Sequence, residues 1–155
     1  MTRTKLKKPS HEEFIFQLGR PSVSYGLAVQ MTKHDPDAFW ENQEVLVVGT
    51  CIYPTRFADR EAVIRLLGGR DLMDMRARLS GDWKPKAVGF MEAGKTRFEV
   101  MMSVPLDAAW EIGAAIAAGT MTVLMTNGPV LFRGKTTLNS FSFKGPEFDP
   151  ADYIG

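Results

Sequence analysis

The sequence predicts a mainly β domain, an antiparallel β-sandwich or partly open β-barrel of about eight strands with two short helices. Three observations predict it. Apolar and polar residues alternate in run after run, which is the period of a half-buried strand. Gly-, Pro-, Asn- and Asp-rich junctions separate those runs at short intervals. Only the segment around Leu106–Gly119 resembles a crossover, so a parallel sheet of repeated crossovers does not fit.

Glu13 to Leu18 is expected as a first strand, with Phe14, Phe16 and Leu18 on one face, and Gly19-Arg20-Pro21-Ser22 as a turn. Val23 to Met31 alternates, with Val23, Tyr25, Leu27, Val29 and Met31 on one face and Ser24, Gly26, Ala28 and Gln30 on the other. His34-Asp35-Pro36-Asp37 is a turn, because proline pushes the preceding residue out of the helical region. Ala38 to Asn42 is expected as a brief helical turn. Glu44 to Tyr53 is apolar on both faces and so central. Asp59 to Leu67 is expected as a helix, capped by Asp59 and striped by Ala62, Val63, Leu66 and Leu67.

Asp71 to Leu79 alternates again, and Ser80 to Pro85 is a loop. Ala87–Glu92 and Thr96–Val104 form a hairpin across Ala93-Gly94-Lys95. Leu106 to Gly119 is a helix closed by glycine, with almost no polar face, and such a helix has to be buried. Thr120 to Thr126 is a strand and Asn127-Gly128 a hairpin turn. Val130 to Phe143 is a long final strand. Its apolar parity changes between Leu138 and Phe141, as at a β-bulge or where a strand passes from one sheet to another.

With 155 residues, 45% of them hydrophobic and 24% charged, the chain is expected to be a single domain over 1–155 with a core of its own. Residues 1–11 form a basic flexible tail and 144–155 an irregular C-terminal tail in this reading. The formal net charge of +1 lacks the basic footprint of a dedicated nucleic-acid binder. The one cysteine, Cys51, excludes an internal disulfide and a cysteine-based metal cluster, and its apolar surroundings make it a buried, inert thiol. The basic start is followed by His11-Glu12-Glu13 rather than by the apolar stretch of a signal peptide. With no run long enough to span a bilayer, the expected location is cytoplasmic, without membrane attachment.

No catalytic set stands out. The two histidines, His11 and His34, belong to no nucleophile-base motif. Asp74 and Glu99 interleave with Arg76, Arg78 and Arg97 on polar strand faces, where cross-strand ion pairs account for them. Gly68-Gly69 follows its predicted helix, the reverse of the order a phosphate-binding loop needs. The expectation is no cofactor, no metal and no enzyme activity.

Binding residues are sought instead among loop tryptophans and exposed arginines. Trp40 and Trp83, with Arg76, Arg78 and Arg97, are the candidate binding residues. Met101 and Leu124 each fall on the face opposite their strand's main stripe and are the candidate interface residues. With the apolar helix, they point to more covered surface than a lone two-layer domain covers. The leading expectation is a protein-interaction or assembly module acting with a protein partner, foremost a second copy of itself. The alternatives are a small-ligand binder or enzyme with a pocket between the sheets and, third, a single-stranded nucleic-acid binder using the arginines.

Overall fold

The computed structural model describes residues 10–29, 39–69 and 87–154. Eight strands among them share one sheet. In chain order they are β1 (His11–Val29), β2 (Phe39–Tyr53), β3 (Glu61–Gly69), β4 (Gly89–Ala93), β5 (Arg97–Pro105), β6 (Val123–Pro129), β7 (Lys135–Leu138) and β8 (Ser140–Lys144). A helix, α1 (Leu106–Ala117), follows β5, and a short one, α2 (Pro150–Ile154), follows β8. The strand order is β7-β4-β5-β3-β2-β1-β6-β8. Only β3 and β5 run parallel; the other neighbours are antiparallel.

The last strand turns this sheet into a nearly closed barrel. β7 pairs with β4, and after Asn139 the chain continues as β8 on β6, at the opposite end of the order. Asn139 donates its backbone N–H to Asn127 O (2.8 Å), and Thr136 Oγ1 donates to Pro129 O (2.7 Å). The expected single strand Val130–Phe143 is instead two strands of one sheet, and the parity change between Leu138 and Phe141 falls where the chain switches pairing partner.

The interior is filled by side chains of alternate parity. Phe14 and Phe16 of β1 meet Phe98 of β5 edge-on at ring-centroid distances of 5.6 and 5.4 Å, and Phe57 closes on Phe98 at 5.3 Å. Ile64, Leu66, Met91, Met102, Leu124 and Leu138 pack around them, fully buried. A second, outer cluster of Ile15, Val123 and Met125 is covered by Phe148 from the segment after β8. That segment, expected to be irregular, thus packs on the barrel wall and ends in α2.

Several expected elements differ. Gly19–Ser22 is no turn: β1 runs through it with an irregularity between Leu18 and Pro21. Residues Phe39 to Asn42 are strand, the start of β2, rather than a helical turn. The segment expected as an Asp59-capped helix is β3. Its Ala62, Ile64 and Leu66 face the core, while Val63 lies between Val48 and Glu99 of the strands on either side. An apolar run with both faces covered carries helical and strand spacings at once, and pairing on both edges decides it.

Asn127-Gly128 lies inside β6. Glycine is required there because a Cβ at 128 would run into Thr137 O where β7 crosses β6. The tight turn is Arg133-Gly134, with φ of 52° and 78°, flanked by a Phe132–Lys135 bridge. Both central residues are left-handed, as a type I′ turn demands. The predicted strand Asp71–Leu79 and loop Ser80–Pro85 lie outside the described residues.

α1 is a helix as expected, and Gly119 closes it in the left-handed conformation (φ 74°), donating to Ile116 O. It is not buried all round. Ala109, Gly113 and Ile116 face the sheet, while Ala114, Ala117 and Trp110 stay exposed. Trp110, on a helix expected to be buried, is 37% exposed. Small residues set the close approach: a Cβ on Gly113 would lie 3.2 Å from Val45 Cγ2, and one on Gly68 would lie 3.0 Å from Ala109 Cβ.

Candidate protein-interaction surface

β1 outruns its neighbours. It pairs with β6 only over His11–Gln17, whereas its pairing with β2 continues to Val29. β3 in turn leaves β2 at Gln43. Gly26–Val29 and Phe39–Asn42 therefore form a two-stranded ribbon held, among the described residues, only by each other.

The part of β1 beyond its pairing with β6, which ends in this ribbon, carries a stripe of exposed apolar side chains. Val23 pairs with the buried Val45, and Tyr25 with the buried Gln43, so the odd-numbered side chains of β1 continue the interior face of the sheet. Beyond the barrel nothing described covers that face: Val23, Tyr25 and Leu27 are 53%, 54% and 59% exposed. α1 approaches it at Val23, where a Cβ on Gly113 would lie 3.5 Å from Val23 Cγ1. Trp110, one helical turn before Gly113, is exposed as well. Contiguous apolar surface of this kind marks interaction sites on soluble domains.

The predicted site residues fall elsewhere. Trp40 lies in β2, in register with Ala28 on the ribbon. Trp83, Arg76 and Arg78 lie outside the described residues. Arg97 opens β5, exposed, and its guanidinium pairs with Glu99 at 2.7 Å on the same strand face. Met101 does point outward, 44% exposed, beside the exposed Phe90 of β4 and in register with Arg65 of β3. Leu124 does not: it is fully buried in register with Phe16, and Val123 and Met125 face outward under Phe148. The two interface candidates therefore share no surface. In the sequence Val123 and Met125 read as the inward stripe of this strand, but in the structure they pack in the outer cluster.

The stripe Val23-Tyr25-Leu27 is visible in the sequence as alternation but is indistinguishable there from core. One signal was available. Joined across Gly19–Ser22, the alternating run is far longer than the five or six residues of a common strand, and such a strand overhangs its neighbours.

Open clefts among the described residues lie apart from the Val23-Tyr25-Leu27 stripe. One, of about 310 Å³, is lined by Glu13, Asn127, Ser140, Ser142, Phe148 and Tyr153. Another, of about 360 Å³, is lined by Gln17, Val48, Thr50, Asp59 and Glu61 among others. Partial burial pushes the Glu13 carboxyl above its ordinary value. Burial likewise pushes the Cys51 thiol up to about 11, and its Sγ lies 3.3 Å from Tyr53 O as donor. Among the described residues no three His, Cys, Asp or Glu side chains are grouped to hold a metal ion. No described helix is long and apolar enough to cross a membrane. Comparison with family models, with curated proteins and with solved structures finds no match to this chain.

Proposed function

We propose that this chain is a non-enzymatic assembly module that associates with copies of itself through the overhanging β1–β2 ribbon. The observation that carries the reading is the stripe Val23-Tyr25-Leu27, more than half exposed on the face that elsewhere forms the core. Leaving such a face in water forfeits about 1.5–3 kcal/mol for each large apolar side chain that a partner would bury. Trp110 on α1 is exposed as well, and tryptophan and tyrosine are among the side chains that most often dominate an interface. Cytoplasmic residence is part of the proposal and rests on Cys51 as a free, buried thiol.

Native mass spectrometry and light scattering test it at micromolar concentration. The wild-type chain is expected to form oligomers that dissociate on dilution. The triple variant Val23→Ser/Tyr25→Ser/Leu27→Ser is expected to be monomeric with an unchanged circular dichroism spectrum. A wild-type chain that stays monomeric would remove the proposal.

A further inference from the structure

The main chain of the ribbon carries information beyond its side chains. Cys51 of β2 donates its N–H to Arg60 O (2.8 Å) and accepts from Asp59 N–H (2.9 Å), so both its backbone groups turn toward the β3 side. Backbone groups alternate sides along a strand, and β2 pairs with β3 in continuous register from Thr50 to Gln43. The odd-numbered residues of β2 therefore bond toward β3. Their β1 partners, Pro21, Val23, Tyr25 and Leu27, are left with their backbone groups directed to the opposite edge of β1. Proline at 21 agrees with this: it lacks the N–H that a β2-directed position would donate. Among the described residues no strand lies on that edge beyond Gln17.

Val23, Tyr25 and Leu27 thus present N–H and C=O groups outward, about 7 Å apart from one residue to the next. An unpaired edge of this kind is a template for another strand, and proteins commonly blunt such edges with charge. Charge does not blunt this one beyond Pro21: Ser22-Val23-Ser24-Tyr25-Gly26-Leu27-Ala28-Val29 contains no Asp, Glu, Lys, Arg or His.

We infer that this edge pairs antiparallel with the same edge of a second copy, so that two barrels share one continuous sheet across a two-fold axis near Tyr25. The inference rests on the self-association proposed above and names its geometry. A second copy is the occupant because the segment is self-complementary. Antiparallel pairing about Tyr25 sets Tyr25 opposite Tyr25 and Val23 opposite Leu27. Each of these pairs exchanges two main-chain hydrogen bonds, and no charge meets a like charge. A two-fold axis normal to the sheet also keeps the apolar stripes of both copies on one face. Aromatic and aliphatic cross-strand pairs are the stabilising unit of such a sheet.

Proline substitution separates the edge from the side chains. Tyr25→Pro and Leu27→Pro remove an outward N–H and leave the bonds between β1 and β2 intact. Tyr25→Ser and Leu27→Ser remove the same side chains and keep the N–H. Leu27 lies on the ribbon beyond β3, where proline threatens the fold least. Sedimentation equilibrium is expected to show each proline variant associating at least about tenfold more weakly than the matching serine variant. Ser24→Pro, which breaks a bond to β2, is expected to lower the melting temperature instead. Proline variants that associate as tightly as their serine counterparts would overturn edge pairing and leave self-association standing. A monomeric wild-type chain would overturn both.

Discussion

At the residue scale, the structure turns several side chains into quantities that can be measured. Cys51 is sealed in the core, and burial, ahead of every other influence, raises its thiol from 9.0 to about 11. The folded state therefore disfavours the thiolate. The resulting stability is complete below pH 9.0, falls as the unfolded chain ionises, and is lost as pH rises through about 11. Denaturant melts of the wild type are expected to lose stability over that window more steeply than those of Cys51→Ala. A disulfide-exchange reagent is expected to leave the native thiol untouched near neutral pH. Glu13 has the same sign. Its raised carboxyl penalises the folded state once it ionises, so Glu13→Gln is expected to raise the melting temperature at neutral pH and to make no difference in acid, below the unfolded carboxyl range. Gly128→Ala is expected to cost about 1–3 kcal/mol, read from urea unfolding, because its methyl meets Thr137 O. Residue roles were legible where environment follows from alternation, as for Cys51, Phe98 and Met101. They were illegible for Leu124 and Trp110, whose surroundings come from strands distant in sequence.

At the scale of elements, the strands with one polar face were legible and those with two covered faces were not. β4 and β5 form the expected hairpin, and the switch from β7 to β8 falls where the parity changes. β3 was misread because Ala62, Val63, Leu66 and Leu67 satisfy a helical stripe while Ala62, Ile64 and Leu66 satisfy a strand. Only pairing with β2 and β5 separates the two. Asn127-Gly128 carries the strongest turn signal in the chain, yet its glycine serves a strand crossing. The barrel's cohesion rests on contacts between elements far apart in sequence. Phe98→Ala removes the ring that Phe14, Phe16 and Phe57 all meet, and a loss of about 3–5 kcal/mol is expected in chemical denaturation. Leu138→Ala, at the partner switch, is expected to cost about 2–5 kcal/mol by the same measurement.

At the scale of the whole molecule, a nearly closed barrel removes most sheet edges, and the overhang of β1 restores one. The expectation of self-association came from Met101, Leu124 and an apolar helix. Met101 is an outward residue on the far wall, Leu124 is core, and the helix is half covered by the sheet. The surface proposed for association is instead the exposed stripe of β1, whose side chains look like core in the sequence because they continue the core's own face. Overhang is a relation between strand lengths across the sheet, and no local pattern records it.

Residue-resolved amide hydrogen exchange at two protein concentrations reads that relation most directly. The amides of Ser24, Gly26 and Ala28, bonded to β2, are expected to share one degree of protection at both concentrations. Those of Val23, Tyr25 and Leu27 are expected to exchange fast in dilute solution and to become protected as the concentration rises. Fast exchange of these three amides at a concentration where the chain is oligomeric would contradict pairing of the β1 edge.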